Sequence, residues 1–221
     1  MKQVAFALIA SAATILASSQ SNAATAIQSF NGGTQFPFFT SDETVGFVFD
    51  TKSNLSVTSL GWYAADGSLV SSHQVGVWNA SGVLLGSATV SADTTAGAVG
   101  FRYVSLSTPF TLASGERYFV GGRDTSTDND NYLTSVSNLQ TAPQITYVGS
   151  AVSPGNSGFA FPNIINSTTS GGRFGANLQF EDLGVSSAVP EPATWAMMLI
   201  GFGGIGGMMR RRKIAARIHF A

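Results

Sequence analysis

The amino-acid sequence predicts an all-β domain, an antiparallel β-sandwich or jelly roll, between an N-terminal signal peptide and a single C-terminal transmembrane helix. Short segments rich in β-branched and aromatic residues recur roughly ten residues apart between Gly and Asn turns. The body shows no stretch of convincing helical periodicity, and apolar runs flank it at both ends. The predicted boundaries are 1–23 for the signal peptide, 24–184 for the β domain, 185–192 for a linker, 193–209 for the helix and 210–221 for a basic cytoplasmic tail.

Residues 1–23 have the composition of a signal peptide. Lys2 provides a positive start, Val4–Ala17 is an apolar run, and the small residues Ser21 and Ala23 suit a signal peptidase. We therefore expect export, with cleavage by signal peptidase after Ala23 or Ala24.

The body is acidic and contains no cysteine. Residues 24–188 hold five basic and eleven acidic side chains, so the net charge of this part is −6, whereas the whole chain is at −1. An acidic body argues against binding to nucleic acid, whose phosphates require a basic surface. Without cysteine there are no disulfides, so hydrophobic packing alone must stabilise the fold.

Strands are predicted where alternating or β-forming residues lie between turn residues. Asn79–Gly82 is the clearest hairpin loop, and Val75 and Val77 before it share one face. The predicted strands are Val45–Phe49, Leu55–Leu60 extended through Trp62 and Tyr63, Gln74–Trp78, Val83–Val90, Val99–Leu106, Phe110–Leu112, Arg117–Gly121, Ile145–Val148 and Asn177–Phe180.

Several short segments between Phe47 and Gly122 resemble a loosely defined family of secreted β-sandwiches. They are Leu60-Gly61-Trp62-Tyr63, Val75-Gly76-Val77-Trp78-Asn79, Ser81-Gly82, Leu85, Gly115-Glu116-Arg117-Tyr118 and Val120-Gly121. The resemblance implies an extracellular module with no established catalytic residues.

The histidine content disfavours most catalytic chemistry. His73 is the only histidine of the body, it is expected on a solvated loop, and no Gly-x-Ser-x-Gly motif marks a nucleophile. One histidine and no cysteine also make a zinc or copper site improbable. We therefore expect that the protein is not an enzyme. The alternative, a polysaccharide hydrolase, would use two of the carboxylates Asp42, Glu43, Asp50, Asp66, Asp93, Glu116, Glu181 and Asp182.

An acidic segment, 124–131, offers the one candidate metal site. Its carboxylates Asp124, Asp128 and Asp130 would supply oxygen ligands of the kind that Ca²⁺ prefers. We expect a solvated polar loop, since the segment lacks the glycine and glutamate of a helix-loop-helix calcium site, and calcium binding is the alternative. Apart from this alternative, no cofactor is expected.

Aromatic side chains provide a second kind of candidate site. Trp62 and Trp78, together with Tyr63 and Tyr132, would stack on sugar rings if they were exposed. The alternative is that these side chains belong to the core. Trp78 falls on the face opposite Val75 and Val77, or over a sheet edge.

The C-terminal stretch from Val189 to Lys213 has three parts in a fixed order. Pro190-Glu191-Pro192 comes first, an uncharged apolar run follows, and the last part is basic. As a helix, 193–209 would span roughly 25 Å, close to the thickness of a membrane core. The basic residues would stay on the cytoplasmic side, and Trp195 suits the opposite interface. The basic residues are Arg210, Arg211, Arg212 and Lys213.

This stretch resembles the PEP-CTERM sorting signal of Gram-negative bacteria. Pro190, Glu191 and Pro192 match its triplet, Trp195 its Trp-Ala segment, and Arg210, Arg211 and Arg212 its basic end. The resemblance implies processing by an exosortase. We expect a protein held in the inner membrane and then delivered to the cell envelope or exopolysaccharide matrix, with a structural or adhesive role. The alternative is a carbohydrate- or calcium-binding module, with extracellular polysaccharide as a possible partner.

Overall fold

The computed structural model describes residues 23–36, 42–92, 100–125, 127, 130, 132–166, 172–184, 197–198 and 200–202. Within these ranges the strands are β1 (Ala24–Thr25), β2 (Ile27–Gln35), β3 (Glu43–Thr51), β4 (Leu55–Ala64), β5 (His73–Asn79), β6 (Leu84–Val90), β7 (Gly100–Leu112), β8 (Arg117–Asp124), β9 (Leu133–Thr141), β10 (Ile145–Val152), β11 (Ile164–Asn166) and β12 (Ala176–Asp182).

The strands form two main sheets and one ribbon, all with antiparallel pairing. The six-stranded sheet has the order β11-β10-β3-β8-β5-β6, and the four-stranded sheet has the order β1-β12-β4-β7. Strands β2 and β9 pair with each other as a separate ribbon. The all-β, sandwich-like fold predicted from the sequence is confirmed.

The main core lies between the two sheets and follows from the two-residue period of the strands. Phe47 and Phe49 of β3 and Val75 and Val77 of β5 point inward and are fully buried. Leu55, Val57 and Leu60 of β4 meet them from the four-stranded sheet. Each large apolar side chain buried in this way contributes about 2 kcal/mol to stability. With no disulfide present, this burial is what stabilises the sandwich.

The outer face of the six-stranded sheet carries a second, smaller apolar cluster. It consists of Val48, Trp78, Phe119 and Ala151, packed against Phe159 and Phe161. These two phenylalanines belong to residues 153–163, the covering segment. Room for Phe159 comes from Gly76, where an added Cβ would lie 2.7 Å from that ring. Trp78 therefore lies on the second face of its strand, one of the two positions expected.

Thr44 at the start of β3 holds the covering segment. Its backbone N–H donates to the Ser153 hydroxyl at 2.8 Å, and its own hydroxyl donates to the Gly158 carbonyl at 3.0 Å. The Ala160 N–H donates to the same Thr44 hydroxyl at 2.9 Å. Thr44 is fully buried, so the covering segment also satisfies its polar atoms.

Strand prediction differed from the structure at several points. Strands β1, β2, β9 and β11 were not predicted, and residues 100–106 of one predicted segment form a single strand, β7, with the predicted segment Phe110–Leu112. The register of β7 jumps from Phe110 to Ser105 while its partner advances only from Val57 to Ser59. An irregular bulge therefore lies where the sequence suggested a break.

The chain divides into two compact units, Met1–Leu183 and Gly184–Ala221. In the second unit, Met197, Met198, Ile200, Gly201 and Phe202 are helical. The rest of the predicted span 193–209 lies outside the described residues, as does 1–22 of the predicted signal peptide. Among the residues that are described, no helix reaches the length and apolar character that crossing a membrane requires.

Candidate functional site

The predicted sorting residues lie outside the described part of the chain: Pro190, Glu191, Pro192, Trp195, Arg210, Arg211 and Arg212. The structure does describe how the sandwich ends before them. Strand β12 ends at Asp182, whose carboxylate accepts a hydrogen bond from the Ser53 hydroxyl at 2.8 Å. The Leu183 N–H then donates to the Asn54 carbonyl at 2.8 Å. The described strands of the sandwich therefore end upstream of the triplet.

The acidic segment is built into the fold at both of its ends. Asp124 ends β8 and Asp130 lies further along, each with less than a tenth of its surface exposed. The Asp130 carboxylate accepts the backbone N–H groups of Val70 at 2.8 Å and Ser71 at 2.6 Å. Asp128 lies outside the described residues.

Calcium binding at this segment stays a prediction. Both carboxylate oxygens of Asp130 already accept backbone hydrogen bonds, so a cation would have to displace those donors or share the oxygens with them. Among the described residues, no three carboxylate or histidine side chains converge on one point.

His73 lies in the core, so its expected place on a solvated loop is wrong. The side chain is fully buried, and its Nε2 lies 3.2 Å from Oδ2 of Asp130. Its Nδ1 lies 3.2 Å from the Arg123 carbonyl oxygen. The sequence contained no signal for this burial, because Asp130 is distant along the chain and meets His73 only in the fold.

The sugar-stacking role considered for Trp62 and Trp78 does not fit their burial. Trp62 is fully buried, and its ring lies parallel to the His73 ring. Trp78 is 3% exposed and packs against Phe159. Tyr132 is 1% exposed and stacks on Phe36. Neither indole has a face free for a sugar, because close packing encloses both rings.

Tyr63, the remaining aromatic candidate, lines a surface groove with a volume of about 350 Å³, the aromatic groove. Its walls come from β1, β2, β4 and β7. The lining residues are Thr25, Ile27, Gln28, Ser29, Phe30, Tyr63, Gly100, Phe101 and Tyr103.

Strand register brings the rings of the aromatic groove together. Tyr63 of β4 lies directly opposite Phe101 of β7, and Gly61 lies opposite Tyr103. Facing side chains of an antiparallel pair are close enough to pack, and the Tyr63 and Phe101 centroids are 5.0 Å apart. Gly61 leaves space for the neighbouring ring, since an added Cβ would lie 2.5 Å from Cδ1 of Tyr103. Phe30 of β2 packs on Tyr63 at 5.3 Å.

Asn177 of β12 fixes one wall of the aromatic groove. Its amide nitrogen donates to the Tyr103 hydroxyl at 2.8 Å and to the Ile27 carbonyl at 2.9 Å. Its amide oxygen accepts the Ile27 N–H at 3.1 Å. Asn177 is fully buried. A buried polar group that lacks its hydrogen-bond partner costs on the order of 1–3 kcal/mol, so these bonds stabilise the fold. Tyr103 is thereby tied to the chain segment that borders it.

The two tyrosines of the groove are neutral under physiological conditions. Burial raises the pKa of the Tyr63 phenol. Burial also raises the pKa of Tyr103, against the smaller opposite effect of the hydrogen bond from Asn177. Both phenols are therefore uncharged, and that of Tyr103 accepts the hydrogen bond from Asn177.

A second groove of about 520 Å³ lies along β9 and β10 and has a different character. Its lining includes Lys52 together with Ser137, Asn138, Thr141 and Tyr147. Its described lining therefore offers a cation, several hydroxyl or amide groups and one aromatic ring.

Two of the carboxylates considered for hydrolysis are paired with arginine. Arg117 donates to Asp50 through Nε at 2.7 Å and Nη2 at 2.9 Å, and Arg123 donates to Asp42 through Nε at 2.8 Å. These hydrogen bonds hold the pKa of Asp50 and Asp42 below the usual range. A general acid requires a raised pKa, so neither group is suited to that role. Asp93 lies outside the described residues.

Two family models match the chain. Residues 34–171 match a domain of unknown function, DUF4082, and this match spans more than half of the chain. Residues 188–213 match the PEP-CTERM protein-sorting motif. Comparison with curated proteins gives no match.

Proposed function

Given that this chain belongs to the DUF4082 family, we propose that it is a structural or adhesive protein of the cell envelope or the secreted polysaccharide matrix. Its PEP-CTERM motif implies exosortase-dependent export, and the chain passes through a membrane on that route. The final location and the adhesive role are part of the proposal.

The observation that carries the proposal is that every described strand of the sandwich lies before the sorting motif. The last described strand ends at Asp182, and the Leu183 N–H donates to the Asn54 carbonyl. The motif begins at residue 188, after that strand. Processing at the triplet would remove none of the described strands, so the released body would retain its core. This arrangement suits a protein whose working part is delivered intact.

Binding rather than catalysis fits the chemistry of the described surface. Asp42 and Asp50 are held ionised by their arginine partners. His73 is buried and bonded to Asp130, where no substrate reaches it. The aromatic groove, in contrast, is accessible and uncharged. We therefore favour an adhesive protein that binds a ligand without transforming it.

The experiment compares Pro190→Ala combined with Glu191→Ala against the wild type in a host that carries the exosortase. Proline disfavours a helix and favours an extended backbone at the residue before it, and a protease requires an extended substrate. We expect the wild type to yield a shortened species in the envelope or matrix fraction. The double variant should remain full-length at the inner membrane.

Ser186→Ala combined with Ser187→Ala is the matched control, because it alters the same linker without touching the triplet. This variant should be processed like the wild type. Equal processing of the wild type and the triplet variant would contradict exosortase-dependent sorting. A mature protein that is released freely into the medium, without co-fractionating with matrix polysaccharide, would contradict the adhesive role.

A further inference from the structure

We propose that the aromatic groove binds a neutral polysaccharide chain. The inference deepens the adhesive role proposed above, since it names the partner and the site. It depends on the proposed role only for the location at which the protein meets this ligand. The binding itself is a property of the folded body.

The groove presents rings in the arrangement that sugar recognition uses. Tyr63 and Phe101 meet edge to face at 71°, and Phe101 and Tyr103 are tilted at 36° with centroids 6.0 Å apart. The rings therefore form a continuous apolar wall along neighbouring positions of β4 and β7. Pyranose rings carry axial C–H groups on their faces, and these groups pack on aromatic rings. Such a wall supplies contact area from rigid side chains that lose little conformational freedom on binding.

Polar groups border the rings on the side of β1 and β2. Thr25, Gln28 and Ser29 line the groove together with Phe30. Their hydroxyl and amide groups donate and accept hydrogen bonds, as sugar hydroxyls require. A mostly apolar wall with a few polar groups is the usual composition of a ligand site.

Charge in the lining selects a neutral ligand. Among the residues that the structure describes, none that lines the groove is a carboxylate, an amine or a guanidinium, and the two tyrosines have raised pKa values. An acidic sugar would leave its carboxylate without a cation there. The second groove, which contains Lys52, lacks this neutrality. The two grooves therefore differ in the charge that they present to a ligand.

The groove is held in shape before any ligand arrives. Asn177 ties Tyr103 to Ile27 through buried hydrogen bonds, and Phe30 packs on both Tyr63 and Phe101. Preformed walls reduce the entropy that binding must overcome. The volume of about 350 Å³ is near the lower end of ligand sites, and the groove opens to solvent. It therefore takes a short stretch of a longer chain.

The test uses the full-length protein in a detergent without a sugar headgroup, run on native gels that contain a soluble polysaccharide. Neutral probes are a β-1,3-glucan, a β-1,4-glucan and a galactomannan, and alginate is the acidic probe. We expect at least one neutral polysaccharide to retard the wild type more than alginate does. Tyr63→Ala and Phe101→Ala should each weaken that retardation about tenfold, the effect of losing one well-packed ring.

Two further variants separate loss of binding from loss of folding. Gln28→Ala changes an exposed groove residue outside the core and should weaken binding with an unchanged melting temperature. Phe159→Ala removes a comparable half-buried ring from the covering segment and should leave retardation unchanged.

The proposal is overturned if no neutral polysaccharide binds, if alginate binds better, or if Tyr63→Ala, Phe101→Ala and Gln28→Ala all bind like the wild type. Those outcomes leave sorting at the triplet unaffected, since processing is read from the size and location of the mature chain. Failure of the triplet experiment would, in turn, leave the retardation results standing.

Discussion

The ring of Trp62 lies parallel to the ring of His73, with centroids 4.2 Å apart and an angle of 8° between the planes. Trp62 belongs to the four-stranded sheet and His73 to the six-stranded sheet, so this stack joins the two layers of the sandwich. Asp130 completes the arrangement, because it bonds His73 through its carboxylate and accepts the Trp62 indole N–H on its backbone oxygen at 3.3 Å. The polar atoms of both rings are thus satisfied inside the core.

The space for Trp62 depends on Gly122 of β8. An added Cβ at Gly122 would lie 2.3 Å from Cζ3 of Trp62, a distance that real contacts do not reach. We expect Gly122→Ala to reduce the free energy of unfolding by about 2 kcal/mol, as overpacking of a rigid core does. Urea denaturation followed by tryptophan fluorescence measures the change.

Gly32→Ala is the control for this prediction. Gly32 has a φ of +63° and no atom within 4 Å of an added Cβ, so its replacement reports backbone strain without a clash. That strain costs roughly 1 kcal/mol. A smaller loss for Gly122→Ala than for Gly32→Ala would show that Trp62 is free to shift.

Asp130 has a structural role that can be separated from calcium binding. Asp130→Asn weakens the bonds to Val70, Ser71 and His73, and a buried group left without its partner costs about 2 kcal/mol. We expect this loss in the free energy of unfolding to be equal in millimolar Ca²⁺ and in chelator. The measurement is thermal melting of the wild type and the variant in both conditions. If Ca²⁺ raises the melting temperature of the wild type alone, the segment is a calcium site as well.

Stability should fall in acid partly through the ion pair between Asp50 and Arg117. The hydrogen bond from Arg117 lowers the pKa of Asp50 in the folded state. The pair therefore stabilises the protein above the ordinary aspartate pKa of about 4, and that contribution is lost as pH falls through the lowered value. Both side chains are more than a third exposed, so solvent limits the contribution to less than about 1 kcal/mol.

Asp50→Asn tests this linkage. The variant should be less stable than the wild type at about pH 6, and the difference should shrink toward about pH 2. Urea denaturation across this range gives the free energies. Salt at about 1 M should also reduce the difference by screening. A difference that stays constant with pH would mean that the ion pair contributes nothing.

Removal of the signal peptide should leave β1 whole. Ala24 is the first residue of β1 and pairs with Phe180 of β12, while Ala23 is exposed. We expect the mature chain to begin at Ala24, because cleavage one residue later would remove half of that short strand. N-terminal sequencing of envelope material checks the position. A mature protein that still contains residues 1–21 would contradict both the cleavage and the signal-peptide assignment.

Much of the sandwich was predictable because its strands obey simple alternation. The hairpin around Asn79–Gly82 joins β5 to β6, and Val75 and Val77 enter the core as their period requires. Leu55 and Val57 also share the buried face. In these strands the apolar side chains that face the main core recur at every second position, so local sequence is sufficient to identify them.

Strand β9 could not be predicted in this way. It contains Ser135 at φ 56° and Asn138 at φ 51°, and these left-handed residues break the regular alternation. Its partner β2 contains Gly32 and Gly33, both with positive φ, and is mostly exposed. Pro109 lies within β7, which is an edge strand of its sheet among the described strands, and an edge strand tolerates a proline because one of its sides need not donate to a neighbouring strand.

The sequence by itself determined the all-β class, the absence of disulfides and the sorting motif, since each depends on composition or on residues close along the chain. Only the tertiary structure decided the two features that bear on binding. It buried Trp62 against His73 and Asp130, and it left Tyr63 beside Phe101 and Tyr103 in an accessible groove. Trp62 and Tyr63 are neighbours on one strand, and local sequence cannot say which will be enclosed. That outcome depends on strand register and on which elements cover each face, and both come from residues far apart in the chain.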